Sequence, residues 1–125
     1  MKQIEQDIVN AVRSGVSFQS GTSSSYKPDA TGYRDNLTFT GNIFSYKLWN
    51  NEIAKGSTSS KEITVSDCRY PTATTTSRLN ALFAGLDIPM AVSIRKKKII
   101  YTIHGKEVQP GMMHYYAGDW KVKVR

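Results

Sequence analysis

With 125 residues, 39% of them apolar, and a formal charge of +7, the chain is long enough for one hydrophobic core but not two, and too aromatic for wholesale disorder. No apolar run approaches the ~20 residues that cross a bilayer, the first seven residues lack a secretory core, and a single cysteine, Cys68, excludes an internal disulfide and a cysteine-based zinc site. These exclusions point to one soluble domain over residues 1–125, in a reducing compartment, with no membrane among its partners.

The first predicted element is a helix. Ile4, Ile8, Val9 and Val12 fall on one face, Glu5 and Asp7 lie near its start, Arg13 near its end, and Gly15 supplies a stop. Val16–Gln19 is a short alternating run. Residues 20–36, rich in Ser, Thr, Gly and Asp, read as a long loop, or as a solvated strand with a loop. Strands follow at Leu37–Phe39 and Ile43–Trp49, with Asn50-Asn51 as a tight turn into Glu52–Lys55. Gly56–Ser60 reads as a loop and Lys61–Ser66 as a further strand.

The second helix carries the clearest pattern. Leu79, Leu82, Phe83 and Leu86 recur at helical spacing, Thr74–Ser77 supply N-cap candidates, and Asp87 with Pro89 ends the element. Ala91–Ile94 and Lys98–His104 form a hairpin with a basic tip, and Gly105-Lys106 turns the chain. The last strand, Trp120–Arg125, alternates Trp120, Val122 and Val124 with Lys121, Lys123 and Arg125. An alternating strand of that kind at a sheet edge suits pairing between copies, so a homo-oligomer is one expectation. The whole predicts an α+β fold: one antiparallel sheet of about six short strands with two helices packed on it.

The charge is uneven. Residues 1–89 hold nine basic and eight acidic residues, whereas residues 90–125 hold eight and two. Two clusters dominate this basic C-terminal third: Arg95-Lys96-Lys97-Lys98, and Lys121, Lys123 and Arg125. A field of one sign draws anions, although Lys at strand ends also blocks edge-to-edge association.

No catalytic set emerges. His104 and His114 have no carboxylate near in sequence apart from Glu107, and with scattered Asp they match no metal-ligand spacing. No phosphate-cradling glycine motif and no nucleophile elbow is present. Neither enzyme activity, nor a cofactor, nor a metal is expected. The strongest constellation is the start of the second helix. There Thr75, Thr76 and Ser77 place hydroxyls beside free backbone N–H groups and Arg78 adds a cation, an arrangement suited to phosphate. Simple capping accounts for the same residues. The phosphate reading gains if Arg95, Lys96, Lys97 and Lys98 lie on the same side.

The segment Phe18–Thr22, the strand with Gly41-Asn42-Ile43, and the Thr-rich stretch running into Arg78-Leu79-Asn80-Ala81-Leu82 resemble a group of small tailed-bacteriophage proteins. The resemblance covers about the first 90 residues; the 24–35 insert and the basic third depart from it. It implies a non-enzymatic phage accessory protein in the bacterial cytoplasm, serving counter-defence or host takeover by binding. Three readings follow. The partner is a phosphate-bearing ligand, either a nucleotide signal or nucleic acid, held by the residues above. Alternatively it is an acidic host protein that the chain inhibits. The third option is a plain DNA- or RNA-binding module.

Overall fold

A computed structural model describes residues 2–22, 33–69, 71–111 and 113–125. Part of the expected 20–36 loop, residues 23–32, and the aromatic Tyr70 lie outside the described residues.

Helix α1 spans Gln3–Ser14 and buries Ile8, Val9, Ala11 and Val12, the face that the spacing predicts. Gly15, at φ 65°, closes it: its N–H reaches the Val12 carbonyl and the Val16 N–H reaches that of Ala11. This left-handed residue satisfies carbonyls that the last turn leaves open. Helix α2 spans Ala73–Leu86, and its N-cap is Thr72, two residues before the expected group. Thr74–Ser77 therefore sit inside the first turn and a half. Asp87 ends α2 in the left-handed region at φ 56°, with the Ile88 N–H on the Phe83 carbonyl.

Five strands form a meander: β1 Phe18–Thr22, β2 Tyr33–Thr40, β3 Ile43–Leu48, β4 Asn51–Ser57 and β5 Glu62–Val65. After α2 come β6 Met90–Arg95, β7 Lys98–Ile103, β8 Lys106–Val108, β9 His114–Ala117 and β10 Trp120–Val124. The main sheet has seven strands in the order β1-β2-β3-β4-β5-β10-β9, and β6-β7-β8 form a separate antiparallel sheet. The α+β class and the two helices hold, but the expected single antiparallel sheet of about six strands does not. The main sheet is mixed, because β10 runs parallel to β5. A parallel neighbour needs a long crossover, and here α2 and the small sheet lie within it. Strand β10 is also interior, flanked by β5 and β9, which removes the expected edge at 120–125.

No predicted strand covers β1, β8, β9 or the start of β2, although residues 20–36 also read as a solvated strand with a loop. Strand β1 is at one edge of the sheet and β9 at the other, so each has one neighbour among the described residues and carries polar side chains. Strand β2 begins at Tyr33, inside the 20–36 stretch, where its first buried residue is an aspartate, Asp35. The turn after β3 uses Trp49 and Asn50, at φ 48° and 63°, in place of Asn50-Asn51.

The inward row of the main sheet includes Leu37, Phe44, Tyr46, Ile63, Val65, Val122 and Val124, all buried with α1 and α2. Gly56 lets β4 and β5 close up: a Cβ there would meet the Glu62 carbonyl oxygen at 2.1 Å. Gly85 does the same between helices, where a Cβ would stand 3.0 Å from that of Val12. Asn80 then ties α2 to the small sheet. Its side chain donates to the Val92 carbonyl and accepts from the Val92 N–H, both at 2.9 Å.

Candidate functional site

The start of α2 is built on internal contacts. The Thr72 hydroxyl accepts the Thr75 N–H at 3.2 Å, and the two hydroxyls lie 3.0 Å apart. Thr75 is buried. The Thr76 hydroxyl donates to the Ala73 carbonyl at 2.9 Å. Ser77 donates to Glu5 Oε2 on α1 at 2.5 Å, while Glu5 Oε1 accepts the Lys2 N–H at 2.9 Å. These bonds hold the Glu5 carboxyl below the usual carboxylate range, the Ser77 bond first and the Lys2 N–H second.

Arg78 points into the core. Its Nε lies 2.8 Å from Asp35 Oδ1 and its Nη1 donates to Ser77 at 3.0 Å. Asp35 is fully buried and also accepts from the Tyr46 hydroxyl and from Arg34 Nε, each at 2.7 Å. Burial, then the Asp35 charge, pushes the Tyr46 phenol far above its ordinary value, so it stays a donor. The anion that this helix start holds is thus part of the protein. A cleft of about 370 Å³ opens beside it, lined by Lys2, Glu5, Thr76, Ser77 and Asn80. Neither Thr75 nor Arg78 lines that cleft, and Glu5 brings a negative charge into it.

The basic hairpin is different. Lys96 and Lys97 form its two-residue turn at φ 52° and 63°, with Arg95 paired to Lys98 across it. Such turns favour Asn-Gly, because positive φ brings the Cβ of other residues against the backbone. All four basic residues are exposed. Arg95 reaches Glu107 at 2.6 Å, and no ion pair takes up Lys96, Lys97 or Lys98 among the described residues. Strand β8 pairs with β7 only over Tyr101–Ile103, so the outer half of β6–β7 stands as a two-stranded arm. Ile94, on the face that continues Met90 and Val92, is 39% exposed, which shows the arm passing beyond the core.

The Asn80–Val92 clamp sets the arm's direction. Strand β6 runs back along α2, and Arg95 lies about 10 Å beyond Val92, as Ala73 lies about 10 Å before Asn80. The arm therefore extends toward the N-terminal end of α2. No ion pair joins the two groups among the described residues.

Sequence reasoning missed Asp35, Glu5 and Tyr46, the residues that engage the helix start. Asp35 is 43 positions from Arg78, and Glu5 is 72 from Ser77. The available signal was the alternation through 33–40, which puts Asp35 in line with Leu37 and Phe39. Cys68 is half-buried, its thiol 3.1 Å from the Glu52 carbonyl, and burial first raises its pKa. No three His, Cys, Asp or Glu side chains gather into a metal-binding group among the described residues. No helix among them is long and apolar enough to cross a membrane.

A family model described as Kyanoviridae Gp96 protein matches residues 1–122. No curated protein and no solved structure matches the chain.

Proposed function

The chain belongs to the Kyanoviridae Gp96 protein family, a family of phage proteins, and from that premise we propose that it is a non-enzymatic accessory protein that binds a nucleic-acid backbone through the β6–β7 arm in the host cytoplasm. The observation that carries this reading is the pair Lys96-Lys97 at the arm's tip. Local stability favours Asn-Gly at two successive positive-φ positions. Two lysines there add like charge to a strained turn and pair with no carboxylate among the described residues. Strain of this kind, when observed, is a pointer to function.

The arm is convex and exposed. A small nucleotide is usually enclosed by a concave pocket, whereas an extended chain of phosphates is met by a projecting cationic arm. This favours nucleic acid over a nucleotide signal among phosphate-bearing ligands. It also moves the weight of the reading from Thr75, Thr76, Ser77 and Arg78 to Lys96, Lys97 and Lys98.

The test is binding of fluorescent single-stranded and duplex oligonucleotides between about 50 and 200 mM salt. Three phosphate contacts give a slope of about −2.7 for log K against log salt on duplex. Replacing Lys96 and Lys97 by Gln lowers affinity for every sequence alike and flattens the slope by about 2. A wild-type protein that binds neither form, with an acidic host protein captured instead, overturns the reading.

A further inference from the structure

We infer that the open face of the seven-stranded sheet is a second contact surface, and that its occupant is single-stranded nucleic acid. This inference rests on the nucleic-acid reading above but on none of the residues that carry it.

Strand register fixes which side chains share that face. His114 pairs with Lys123, Lys123 with Thr64, Thr64 with Lys55, Lys55 with Ser45, and Ser45 with Thr38. One row thus crosses six neighbouring strands on the side away from the helices, because the residues before and after each β10 lysine are buried. At strand spacings of about 4.8 Å, Lys55 and Lys123 stand about 10 Å apart. Beside this row Lys121 lies directly opposite Tyr116, which is 70% exposed.

The charge on this face is asymmetric. Lys47, Lys55, Lys121, Lys123 and Arg125 stand against Glu52 and Glu62. None of those five cations makes an ion pair among the described residues. Glu52 is taken up by the Ser45 hydroxyl at 2.7 Å and Glu62 by that of Ser60 at 3.3 Å. The face is not flat: it holds a depression of about 310 Å³ lined by Ile43, Lys55, Ser57, Glu62 and Thr64. Cations along a sheet answer a phosphate backbone, and an exposed ring offers a stacking surface to an unpaired base. In a duplex the base faces are already stacked and cannot use Tyr116. The combination therefore selects a single strand, and the occupant is complementary in charge to the face.

The test compares oligo-dT with a DNA duplex on three proteins: wild type, Lys121→Gln/Lys123→Gln, and Tyr116→Ala, with Tyr116→Phe as the conservative control. All three sites lie at the surface, and far-ultraviolet circular dichroism checks that the fold is kept. The double lysine variant and Tyr116→Ala are each expected to lose about fivefold or more on oligo-dT and to bind duplex as the wild type does, whereas Tyr116→Phe keeps the ring and binds oligo-dT as the wild type does. Unchanged oligo-dT binding in the sheet variants, with loss in the Lys96/Lys97 variant, overturns this inference and leaves the arm standing. Equal loss on duplex and oligo-dT overturns the single-strand assignment. Poly-glutamate bound as tightly as oligo-dT makes the face a plain charged surface and overturns it too. No nucleic-acid binding by the wild type removes the reading on which both surfaces rest.

Discussion

Arg78 and Asp35, 43 positions apart in the chain, meet with Nε 2.8 Å from Oδ1 and both side chains shut off from water. The contact joins α2 to β2 and is the reason that the Arg following the Thr-rich stretch is not available to a ligand. Burying two charges exacts a desolvation penalty that only full hydrogen bonding offsets. Here Asp35 accepts from Arg78, Arg34 and Tyr46, so each oxygen is served.

Removing Asp35 leaves Arg78 buried without a carboxylate, and removing Arg78 leaves Asp35 buried with only Arg34 and Tyr46 to serve it. Arg78→Ala and Asp35→Ala are each expected to lose about 3–5 kcal/mol of folding stability. The double variant Arg78→Met/Asp35→Leu loses much less, because it leaves no orphaned charge. Urea unfolding of all three against wild type checks this. Singles that lose under about 1 kcal/mol would show that the pair is solvated in solution.

Tyr101 presents the opposite case. Its hydroxyl is buried and has no hydrogen-bond partner among the described residues. Burial raises its pKa, with the Asp67 charge adding to the effect. Removing an unsatisfied buried group is neutral or favourable, whereas removing a satisfied one is not. Tyr101→Phe is therefore expected to match wild type or gain up to about 1 kcal/mol, read as an unchanged or raised Tm. A clear loss in Tm would reveal a partner for the hydroxyl.

Glu5 gives the fold a pH dependence with a defined sign. Its carboxyl is held below the usual range by Ser77 and by the Lys2 N–H, so the charged form favours the folded state. That contribution is present above the unfolded value of about 4.3 and is lost as pH falls through the lower folded one. Glu5→Gln keeps the acceptor but loses the charge, and is expected to be less stable than wild type at neutral pH. The gap closes below the carboxylate range. Urea unfolding of both proteins across a pH series measures it, and a constant gap would assign the effect to shape, not charge.

Local pattern made both helices legible, because each repeats its apolar face within a few turns. Hairpins with apolar alternation, β3–β4 and β6–β7, were legible for the same reason. The sheet partition was not. Pairing β10 with β5 depends on where the crossover brings the chain back, and no residue in Trp120–Val124 encodes its neighbour. The helix start was read correctly as hydroxyl-rich and wrongly placed by two residues, since Thr72 and Thr74 are equivalent as local caps and tertiary packing chose between them. What Arg78 does was invisible because its partner sits in a stretch that composition marks as loop. Lys121 and Lys123 were visible as cations, but the face they share with Lys55 and Tyr116 emerges only from register.

The tip of the arm allows stability and binding to be separated in one experiment. Lys96 and Lys97 occupy two successive left-handed positions, each disfavoured for a residue with a Cβ by about 1–2 kcal/mol relative to a free choice of conformation. Lys96→Asn/Lys97→Gly replaces them with the pair this turn prefers and removes two adjacent like charges. If the lysines served only the fold, the variant would be no better folded than wild type, or worse. If they serve a polyanion, the variant is more stable, by about 1 kcal/mol, and binds nucleic acid more weakly with a salt slope reduced by about 2. The two readouts, urea midpoint and oligonucleotide affinity, then move in opposite directions. A variant that is more stable and binds as tightly as wild type would show that the arm's tip has no part in recognition.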